Sequence, residues 1–267
     1  MITEQEFQRV AAYVKNKSGI NLNEKKVLVQ GRLDSYMQRN GYSSYDEFMD
    51  RVEKFPTGPE AEDLMNSLTT NHTYFWREYE QFLFLKQEVF PELKRRTEST
   101  KDWHIWCAAS STGEEPYTLA MLCKDFLGLE QDGWDTKILA TDIDTKVLEK
   151  AVKGIYARNS VEQLPQQYVR RFFKQISQEE YRVKEELKKE VLFRQLNLMN
   201  PLPFKKPLHV VFIRNVMIYF DEPTKERLLN NIYEKMAPGG YLFIGSTESM
   251  GQNNTQFQYV RPSIYKK

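Results

Sequence analysis

The 267-residue chain contains 40% hydrophobic and 28% charged residues, proportions that are typical of a water-soluble globular protein. Its formal net charge of +1 argues against a protein that binds nucleic acid through bulk positive charge. No apolar run approaches the ~18 residues that a membrane-spanning helix needs, and the first residues lack the pattern of a secretion signal. We therefore expect a cytoplasmic protein with no segment inserted into a membrane.

The first hundred residues predict helices joined by short turns. Thr3 and Glu6 form a predicted capping box, and apolar residues then recur at helical spacing. The later predicted helices are one at about 23–40 that stops at Gly41, a short one that opens with a second capping box, Ser44 and Glu47, and ends before Pro56, one that begins at Pro59, and an aromatic-rich one after residue 71. The boundary to the next part is expected in the polar stretch 95–102.

From Trp103 onward, predicted strands alternate with predicted helices. The strands are expected at 104–109, 137–143, 191–198, 210–216, 241–246 and 256–265, and the helices at 116–127, 146–156 and 222–236. Pro238-Gly239-Gly240 predicts a turn into the fifth of these strands. The alternation predicts a mostly parallel, doubly wound sheet with helices on both faces. Residues 159–190 fit this rhythm poorly and predict an inserted subdomain with a small strand at 181–183.

The two cysteines and three histidines give no sign of a metal site. Cys107 and Cys123 have neither metal-type nor redox-type spacing, and the histidines are scattered along the chain. We interpret the cysteines as small buried hydrophobic residues in a reducing compartment, and we expect no bound metal.

The loop 107–117, after the first predicted strand, is a candidate ligand site, because open α/β sheets bind ligands beyond the carboxyl ends of their strands. The loop lacks the glycines of a dinucleotide fingerprint and the lysine of a P-loop. Glu114 and Glu115 would repel a phosphate at the helix start, whereas the sulfonium and ammonium of S-adenosylmethionine would match them. The spacing alone equally allows two glutamates that only favour the helix start.

Two later predicted strands also end in polar residues that could contact a ligand. Asp142 could accept hydrogen bonds from both hydroxyls of a ribose, whereas Asp144 is placed to cap the next helix. Arg214 and Asn215 interrupt an apolar run, and burying them is costly unless they contact something. A ligand and a buried structural network both remain open for this pair.

At these stretches the chain resembles the CheR family, the chemotaxis receptor glutamate O-methyltransferases, over nearly its whole length. Five signatures occur in the family's order: TTNHTYFWRE at 69–78, STGEEPY at 111–117, ATDID at 140–144, NL at 197–198 and RNVMIYF at 214–220. The resemblance implies an α/β fold, namely a Rossmann-like class I S-adenosylmethionine-dependent methyltransferase domain with a small β-subdomain insertion, preceded by an all-α domain. It implies a receptor-recognition domain at 1–70, a linking helix at 71–98 that contributes to the cofactor site, a catalytic domain at 99–267 and an insertion at about 159–190.

The resemblance also implies a cofactor, S-adenosyl-L-methionine, and a set of site residues. Cofactor contacts are implied for Asn71, Thr73, Arg77, Glu115, Asp142, Asn197, Leu198, Arg214 and Asn215. Within that set, Glu115 would hold the amino-acid end, Asp142 the ribose, and residues 197–198 the adenine. Catalytic roles are implied for Arg77, near the substrate, and for Tyr219, near the reacting methyl group. The products would be glutamate 5-O-methyl ester and S-adenosyl-L-homocysteine.

The implied partners are the cytoplasmic domains of methyl-accepting chemotaxis receptors, and the protein is expected to be a monomer. The segment 9–39 is rich in basic residues that would complement a glutamate-rich receptor: Arg9, Lys15, Lys17, Lys25, Lys26, Arg32 and Arg39. However, Gly31-Arg32 stands where family members often carry two adjacent arginines, and a solvated helix face is the alternative. The resemblance implies that some relatives bind the receptor's C-terminal pentapeptide through a glycine-containing loop of the inserted subdomain. The comparable stretch here, residues 173–186, contains no glycine, so we expect no dependence on that pentapeptide.

Two other functions remain open at this point. One is a methyltransferase that acts on a carboxylate of another protein, and the other is a non-catalytic adaptor that binds cofactor or receptor.

Overall fold

The computed structural model describes residues 1–250 and 256–267, and its first 68 residues form four helices. These helices are α1 (Glu4–Ser18), α2 (Lys26–Asn40), α3 (Tyr45–Lys54) and α4 (Pro59–Leu68). The predicted capping box opens α1, since the Thr3 hydroxyl accepts from Glu6 N and the Glu6 carboxylate accepts from Thr3 N. The four helices enclose a hydrophobic core of their own, which runs from Ile2 to Leu68.

Two helix starts in this domain differ from the prediction. Helix α2 begins at Lys26 rather than Asn23, because a backbone hydrogen bond from Lys25 N to Leu22 O first closes a turn. At α3, the Ser44 hydroxyl caps Glu47 N as predicted, but the Glu47 carboxylate accepts from Ser43 instead of closing the box on Ser44. Both differences lie in turns, where local hydrogen bonds compete with the helix.

The aromatic-rich segment after residue 71 becomes helical only at Tyr79. It comprises α5 (Tyr79–Phe84), a π-helical turn (Leu85–Val89) and α6 (Phe90–Arg96). Trp76 and Glu78 each have a φ of 60°, which a right-handed helix excludes, so Phe75 lies in a loop rather than in the helix. The π-helical turn precedes Pro91, whose missing N–H cannot continue the ordinary hydrogen-bond ladder.

Within residues 97–250 and 256–267, the structure contains ten strands and six further α-helices. The strands are β1 (Ile105–Ala108), β2 (Ile138–Asp142), β3 (Ile155–Ala157), β4 (Phe173–Gln175), β5 (Glu180–Val183), β6 (Val191–Gln195), β7 (Leu208–Ile213), β8 (Met236–Ile244), β9 (Gln258–Arg261) and β10 (Ile264–Lys266). The helices are α7 (Glu114–Leu127), α8 (Thr145–Lys153), α9 (Arg158–Val161), α10 (Gln166–Phe172), α11 (Glu185–Lys188) and α12 (Glu222–Lys235).

A seven-stranded sheet forms the centre of this part, in the order β6-β2-β1-β7-β8-β10-β9. The strands from β6 to β8 are parallel, and β10 and β9 are antiparallel to their neighbours. Side chains of β1 alternate between two cores: Ile105 and Cys107 face α7, whereas Trp106 and Ala108 face the core that includes α12. The predicted class I methyltransferase fold, a mostly parallel sheet covered on both faces, is confirmed.

The predicted insertion contains a second sheet. Its three antiparallel strands lie in the order β3-β5-β4, and the predicted strand 181–183 falls within β5. The sheet begins at Ile155, before the predicted start of the insertion at about 159. The reason is that Gly154, with a φ of 61°, ends α8, so that Ile155 and Tyr156 belong to β3. The prediction that the second helix of this domain continues to Tyr156 was therefore wrong.

Two further strand predictions need correction. Pro238-Gly239-Gly240 is not a turn before the strand but a bulge within β8, where the register against β7 shifts between Leu208 and Val210. The single strand predicted at 256–265 is a hairpin of β9 and β10, and Ser263, with a φ of 62°, lies in its turn. In the described part of the chain, no helix is both long enough and apolar enough to cross a membrane.

Candidate functional site

A cleft lies at the carboxyl ends of β1, β2 and β7, between the sheet and the end of α1. Its empty volume is about 870 Å³, which includes space open to solvent and falls within the range of small-molecule sites. The structure brings every predicted site residue to this cleft: Asn71, Thr73, Arg77, Glu115, Asp142, Asn197, Leu198, Arg214, Asn215 and Tyr219.

The turn after β1 exposes backbone and small side chains to the cleft. Ala109 and Ser111 have φ values of 52° and 48°, and Gly113 has 97°. A Cβ at Gly113 would lie 2.9 Å from both Ala151 and the Tyr156 hydroxyl, so glycine is required there. Ser110 lines the cleft and is 2% exposed, yet its hydroxyl has no hydrogen-bond partner among the described residues. A buried hydroxyl without a partner is costly, which favours a ligand that would pair with it.

The two glutamates at the start of α7 have different surroundings. The Glu114 carboxylate accepts a 2.7 Å hydrogen bond from the Thr112 hydroxyl, and burial raises its pKa. Glu115 instead faces the cleft, and its Oε1 accepts a hydrogen bond from the Cys107 thiol, whose sulfur lies 3.2 Å away. Burial raises the pKa of Cys107 well above its usual value, so the thiol stays protonated beside the carboxylate. Of these two glutamates, only Glu115 lines the cleft and can meet a cationic ligand there.

Arg214 forms the counter-charge of Glu115. Its Nε lies 2.8 Å from Glu115 Oε2, but the N–H is not aligned for a hydrogen bond, so the contact is an ion pair only. The guanidinium also donates to the Arg77 carbonyl at 2.6 Å and to Gln81 Oε1 at 3.3 Å, and it lies over the Phe82 ring. The buried network that the sequence left open is therefore present, and the same side chain also lines the cleft.

Asp142 and Asp144 separate as the sequence indicated. Asp142 lines the cleft, and its carboxylate accepts from Ser111 N at 2.8 Å and from Asp144 N at 3.0 Å. A carboxylate has about four acceptor positions, so part of its capacity remains for a ligand. Asp144 caps α8, since its Oδ1 accepts from Lys146 N and from Val147 N.

The remaining wall comes from the segment after α4. Asn71 donates from Nδ2 to Asp144 Oδ2 at 2.7 Å, and its carbonyl accepts from the Ser111 hydroxyl at 3.0 Å. The Arg77 guanidinium donates to the His72 carbonyl at 2.8 Å and lies 5.7 Å from the centre of the Tyr74 ring. The Asn71 bonds hold the segment against the carboxyl ends of β1 and β2, whereas the Arg77 contacts lie within the segment.

The helical domain closes the cleft from the other side. Asn197 donates from Nδ2 to the Lys17 carbonyl at 2.6 Å, and the Tyr219 carbonyl accepts from Asn21 N at 2.7 Å. Lys25 Nζ lies 5.5 Å from the centre of the Tyr219 ring. The cleft thus depends on contacts between residues 17–25 and the methyltransferase fold.

Sequence reasoning missed several lining residues. Ile143 and Leu196 adjoin the predicted Asp142 and Asn197, so their position at strand ends could have identified them. Ser18 and Ile20 carry no such signal, because only docking of the helical domain brings them to the cleft. Their approach is close, since a Cβ at Gly19 would lie 2.7 Å from Met199 Sδ.

The donor set of the cleft fits a cationic nucleoside better than a metal. Within residues 1–250 and 256–267, no group of three or more His, Cys, Asp or Glu side chains is arranged to hold a metal ion. The cleft instead combines the Glu115 carboxylate, the spare acceptor capacity of Asp142 and the unpaired Ser110 hydroxyl. These groups suit an ammonium or sulfonium and the hydroxyls of a ribose.

Comparison with known proteins gives a consistent result. Residues 71–265 match the family model described as CheR methyltransferase, SAM binding domain, and residues 5–69 match CheR methyltransferase, all-alpha domain. A chemotaxis protein methyltransferase of Borreliella burgdorferi is 38% identical over 270 residues, covering 100% of this chain and 95% of that protein. The Escherichia coli chemotaxis protein methyltransferase is 34% identical, covering 99% of this chain and 91% of that protein.

Proposed function

Because the chain belongs to the CheR methyltransferase family, we propose that it transfers the methyl group of S-adenosyl-L-methionine to glutamate side chains of chemotaxis receptors. The products would be a glutamate 5-O-methyl ester and S-adenosyl-L-homocysteine. One observation carries the proposal: all ten residues that the family signatures single out line a single cleft at the carboxyl ends of the parallel strands. The names of these two relatives, both chemotaxis protein methyltransferases, support a receptor of the chemotaxis system as the substrate.

We assign the cofactor contacts from the donor set of the cleft. When bound, S-adenosylmethionine supplies an electrophilic methyl group on a positively charged sulfur. Glu115 would provide the counter-charge for the amino-acid end, and Asp142 would accept hydrogen bonds from the ribose hydroxyls. Residues 197–198 would contact the adenine, and Asn71 and Thr73 would form the wall that Asp144 and Ser111 hold in place.

The proposed chemistry requires positioning rather than proton transfer. A glutamate side chain has an ordinary pKa of ~4.3, so the substrate arrives ionised at neutral pH and needs no general base. What the chain must do is align the carboxylate oxygen with the methyl carbon and sulfur and exclude water. We assign the alignment of the carboxylate to Arg77 and the orientation of the methyl donor to Tyr219. The end of α1, through Ser18 and Ile20, would exclude water from the covered side of the cleft.

Receptor recognition by the helical domain is also a proposal. It has less support than the sequence indicated, because several of its basic side chains form ion pairs within the protein. Arg9 forms ion pairs with α3 carboxylates, Lys15 pairs with Asp221, and Lys26 pairs with Glu4. Lys25 lies over Tyr219 at the cleft. The start of α2 also presents Val27, which is 87% exposed. A receptor helix with both apolar and acidic residues would therefore fit this face better than a purely acidic one.

The division of labour between Arg77 and Tyr219 can be tested by separating turnover from binding. We expect Arg77→Ala and Tyr219→Phe each to lower kcat by at least about tenfold, while the dissociation constant of S-adenosylhomocysteine changes by less than about threefold. Steady-state kinetics with a receptor cytoplasmic domain and calorimetry with the product measure the two quantities. The matched control is Arg194→Ala, because the exposed Arg194 guanidinium donates to the adjacent Phe193 carbonyl and does not line the cleft. Equal losses in turnover and affinity would count against this assignment.

A further inference from the structure

Glu248, which lies outside all five sequence signatures, binds the backbone of the segment that carries Arg214, Asn215 and Tyr219. Its Oε2 accepts from Gly245 N at 2.6 Å and from Asn215 N at 2.8 Å. Its Oε1 accepts from Met217 N at 2.7 Å and from Ile218 N at 3.3 Å. One carboxylate therefore receives four backbone N–H groups, from the loops that follow two neighbouring parallel strands.

The segment after β7 needs such an acceptor because of its own conformation. Asn215 has a φ of 57°, a left-handed conformation that turns the chain sharply from the strand into the 3₁₀ turn Met217–Tyr219. The N–H groups at 215, 217 and 218 all point toward one side of this turn, where they meet the Glu248 carboxylate. Hydrogen bonds to an ionised acceptor are about twice as strong as neutral ones, so the carboxylate stabilises this turn more than an amide would.

The neighbouring chain is packed tightly around this contact. A Cβ at Gly245 would lie 2.5 Å from Asn215 Nδ2 and 2.8 Å from Glu248 Oε2. On the other side, Glu78 accepts from Asn215 Nδ2 at 3.2 Å and from Ser246 N at 3.0 Å. Asn215 is thus held through its backbone by one carboxylate and through its side chain by another.

Since Glu248 is not among the residues that line the cleft, its effect must pass through the turn. We infer that Glu248 is a positioning residue, which fixes the 214–219 segment so that Arg214, Asn215 and Tyr219 present their side chains to the cofactor cleft. This inference rests on the proposed function, because it assigns the positioned side chains to methyl transfer. Glu248 itself touches neither the cofactor cleft nor a reacting atom.

The test compares Glu248→Gln with Glu6→Gln. The first variant keeps the size of the side chain but turns an N–H₂ toward backbone donors that need an acceptor. Glu6 is the matched control, because its carboxylate likewise accepts backbone N–H groups, from Thr3 and Tyr45, but lies in the helical core outside the cleft. The measurements are the dissociation constant of S-adenosylhomocysteine by calorimetry, kcat and KM with a receptor cytoplasmic domain, and the thermal midpoint.

We expect Glu248→Gln to weaken product affinity and to lower kcat by about 10- to 100-fold each, with KM for the receptor unchanged. Glu6→Gln should lower the thermal midpoint while leaving affinity and kcat as in the wild type. Gly245→Ala, which keeps the carboxylate but displaces Asn215, should reproduce the losses of Glu248→Gln and serves if that variant does not fold.

Wild-type affinity and kcat in Glu248→Gln would overturn the inference and leave the proposed function intact. The inference would also be overturned if both variants lost affinity and kcat in proportion to the fall in their thermal midpoints. A contact that only stabilises the fold would give that result. A wild-type chain that binds no S-adenosylhomocysteine would overturn the proposed function, and this inference with it.

Discussion

Asp142, at the end of β2, is a carboxyl group whose charge depends on its burial. It is 7% exposed, and burial raises its pKa from 3.8 to about 6 although the N–H groups of Ser111 and Asp144 lower it. The ionised form accepts hydrogen bonds from ribose hydroxyls, whereas the protonated form loses acceptor capacity. We therefore predict that affinity for S-adenosylhomocysteine falls as the pH drops through about 6.

The same shift predicts the sign of the effect on stability. Between pH 3.8 and about 6, the folded state holds a proton at Asp142 that the unfolded state has released. The contribution of this group to the free energy of unfolding is therefore complete below pH 3.8 and is lost as the pH rises through about 6.

The predicted fall in affinity for S-adenosylhomocysteine is checked by calorimetry across this pH range, with Asp142→Asn as the control that lacks the titrating group. A wild-type affinity that stays level across pH 6 would contradict it.

The roles of some site residues could be predicted from the sequence alone, whereas the contacts of others could not. Asp142 and Asp144 could be separated in advance because capping depends on local spacing, and the cap at Lys146 N and Val147 N is present. The ion pair between Arg214 and Glu115 joins the end of β7 to the start of α7, and no local pattern predicts which side chains meet there. Glu248 escaped sequence reasoning for the same reason, since its four donors depend on β8 lying beside β7.

At the scale of elements, α2 is connected to the wall of the cleft through Arg32. Its guanidinium donates to the carbonyls of Leu68 and Thr69, at 3.1 and 2.8 Å, and to the Thr70 hydroxyl at 3.1 Å. These groups end α4 and begin the segment that carries Asn71 and Thr73. We predict that Arg32→Ala weakens binding of S-adenosylhomocysteine by about three- to tenfold, because the wall loses charge-assisted hydrogen bonds.

Calorimetry with the Arg32 variant, and with Arg39→Ala as its control, distinguishes this effect from receptor recognition. Arg39 donates to the Ser35 carbonyl of its own helix, so its loss should leave cofactor affinity unchanged. If Arg32→Ala kept wild-type affinity and raised only the KM for the receptor, Arg32 would be a receptor contact and not a support of the wall.

The small antiparallel sheet supports a prediction about receptor tethering. Strands β4 and β5 are joined by the turn 176–179, which backbone hydrogen bonds from Ile176 N and Ser177 N to Glu180 O close without a glycine. We predict that the receptor's C-terminal pentapeptide is not needed, so that its deletion leaves the rate of receptor methylation unchanged. Titration of the isolated pentapeptide should show no saturable binding, and tight, saturable binding would refute the prediction.

The elements themselves could be predicted where they follow simple periodicity. The apolar runs of β1, β2 and β7 and the capped helices α1 and α12 occur close to the expected positions. Two of the failures share a cause, which is a backbone conformation that residue propensities do not reveal. Left-handed Trp76 and Glu78 delay the helix to Tyr79, and the bulge at Pro238-Gly239-Gly240 lengthens β8. Both depend on packing against distant parts of the chain, as Phe75 shows by its contacts with Tyr156 and Phe173.

At the scale of the whole molecule, the cleft exists because two hydrophobic units meet. The helical core and the sheet cores are separate, but contacts such as Asn197 to Lys17, Asn21 to Tyr219 and Lys15 to Asp221 join them around the cleft. The sequence indicated the two parts, because the first predicts only helices and the second predicts strands that alternate with helices. It did not indicate that the end of α1 covers the cleft, because docking of one unit on another leaves no periodic signal.

The central claim is that this chain methylates glutamate side chains of chemotaxis receptors. The most direct test is transfer of a labelled methyl group from S-adenosylmethionine to purified receptor cytoplasmic domains of the same organism. We predict that the receptors become labelled, that base releases the label as from an ester, and that Arg77→Ala or Tyr219→Phe abolishes most of it. Receptors that stay unlabelled, while S-adenosylhomocysteine still binds to the protein, would contradict the claim and favour another protein substrate or a non-catalytic adaptor.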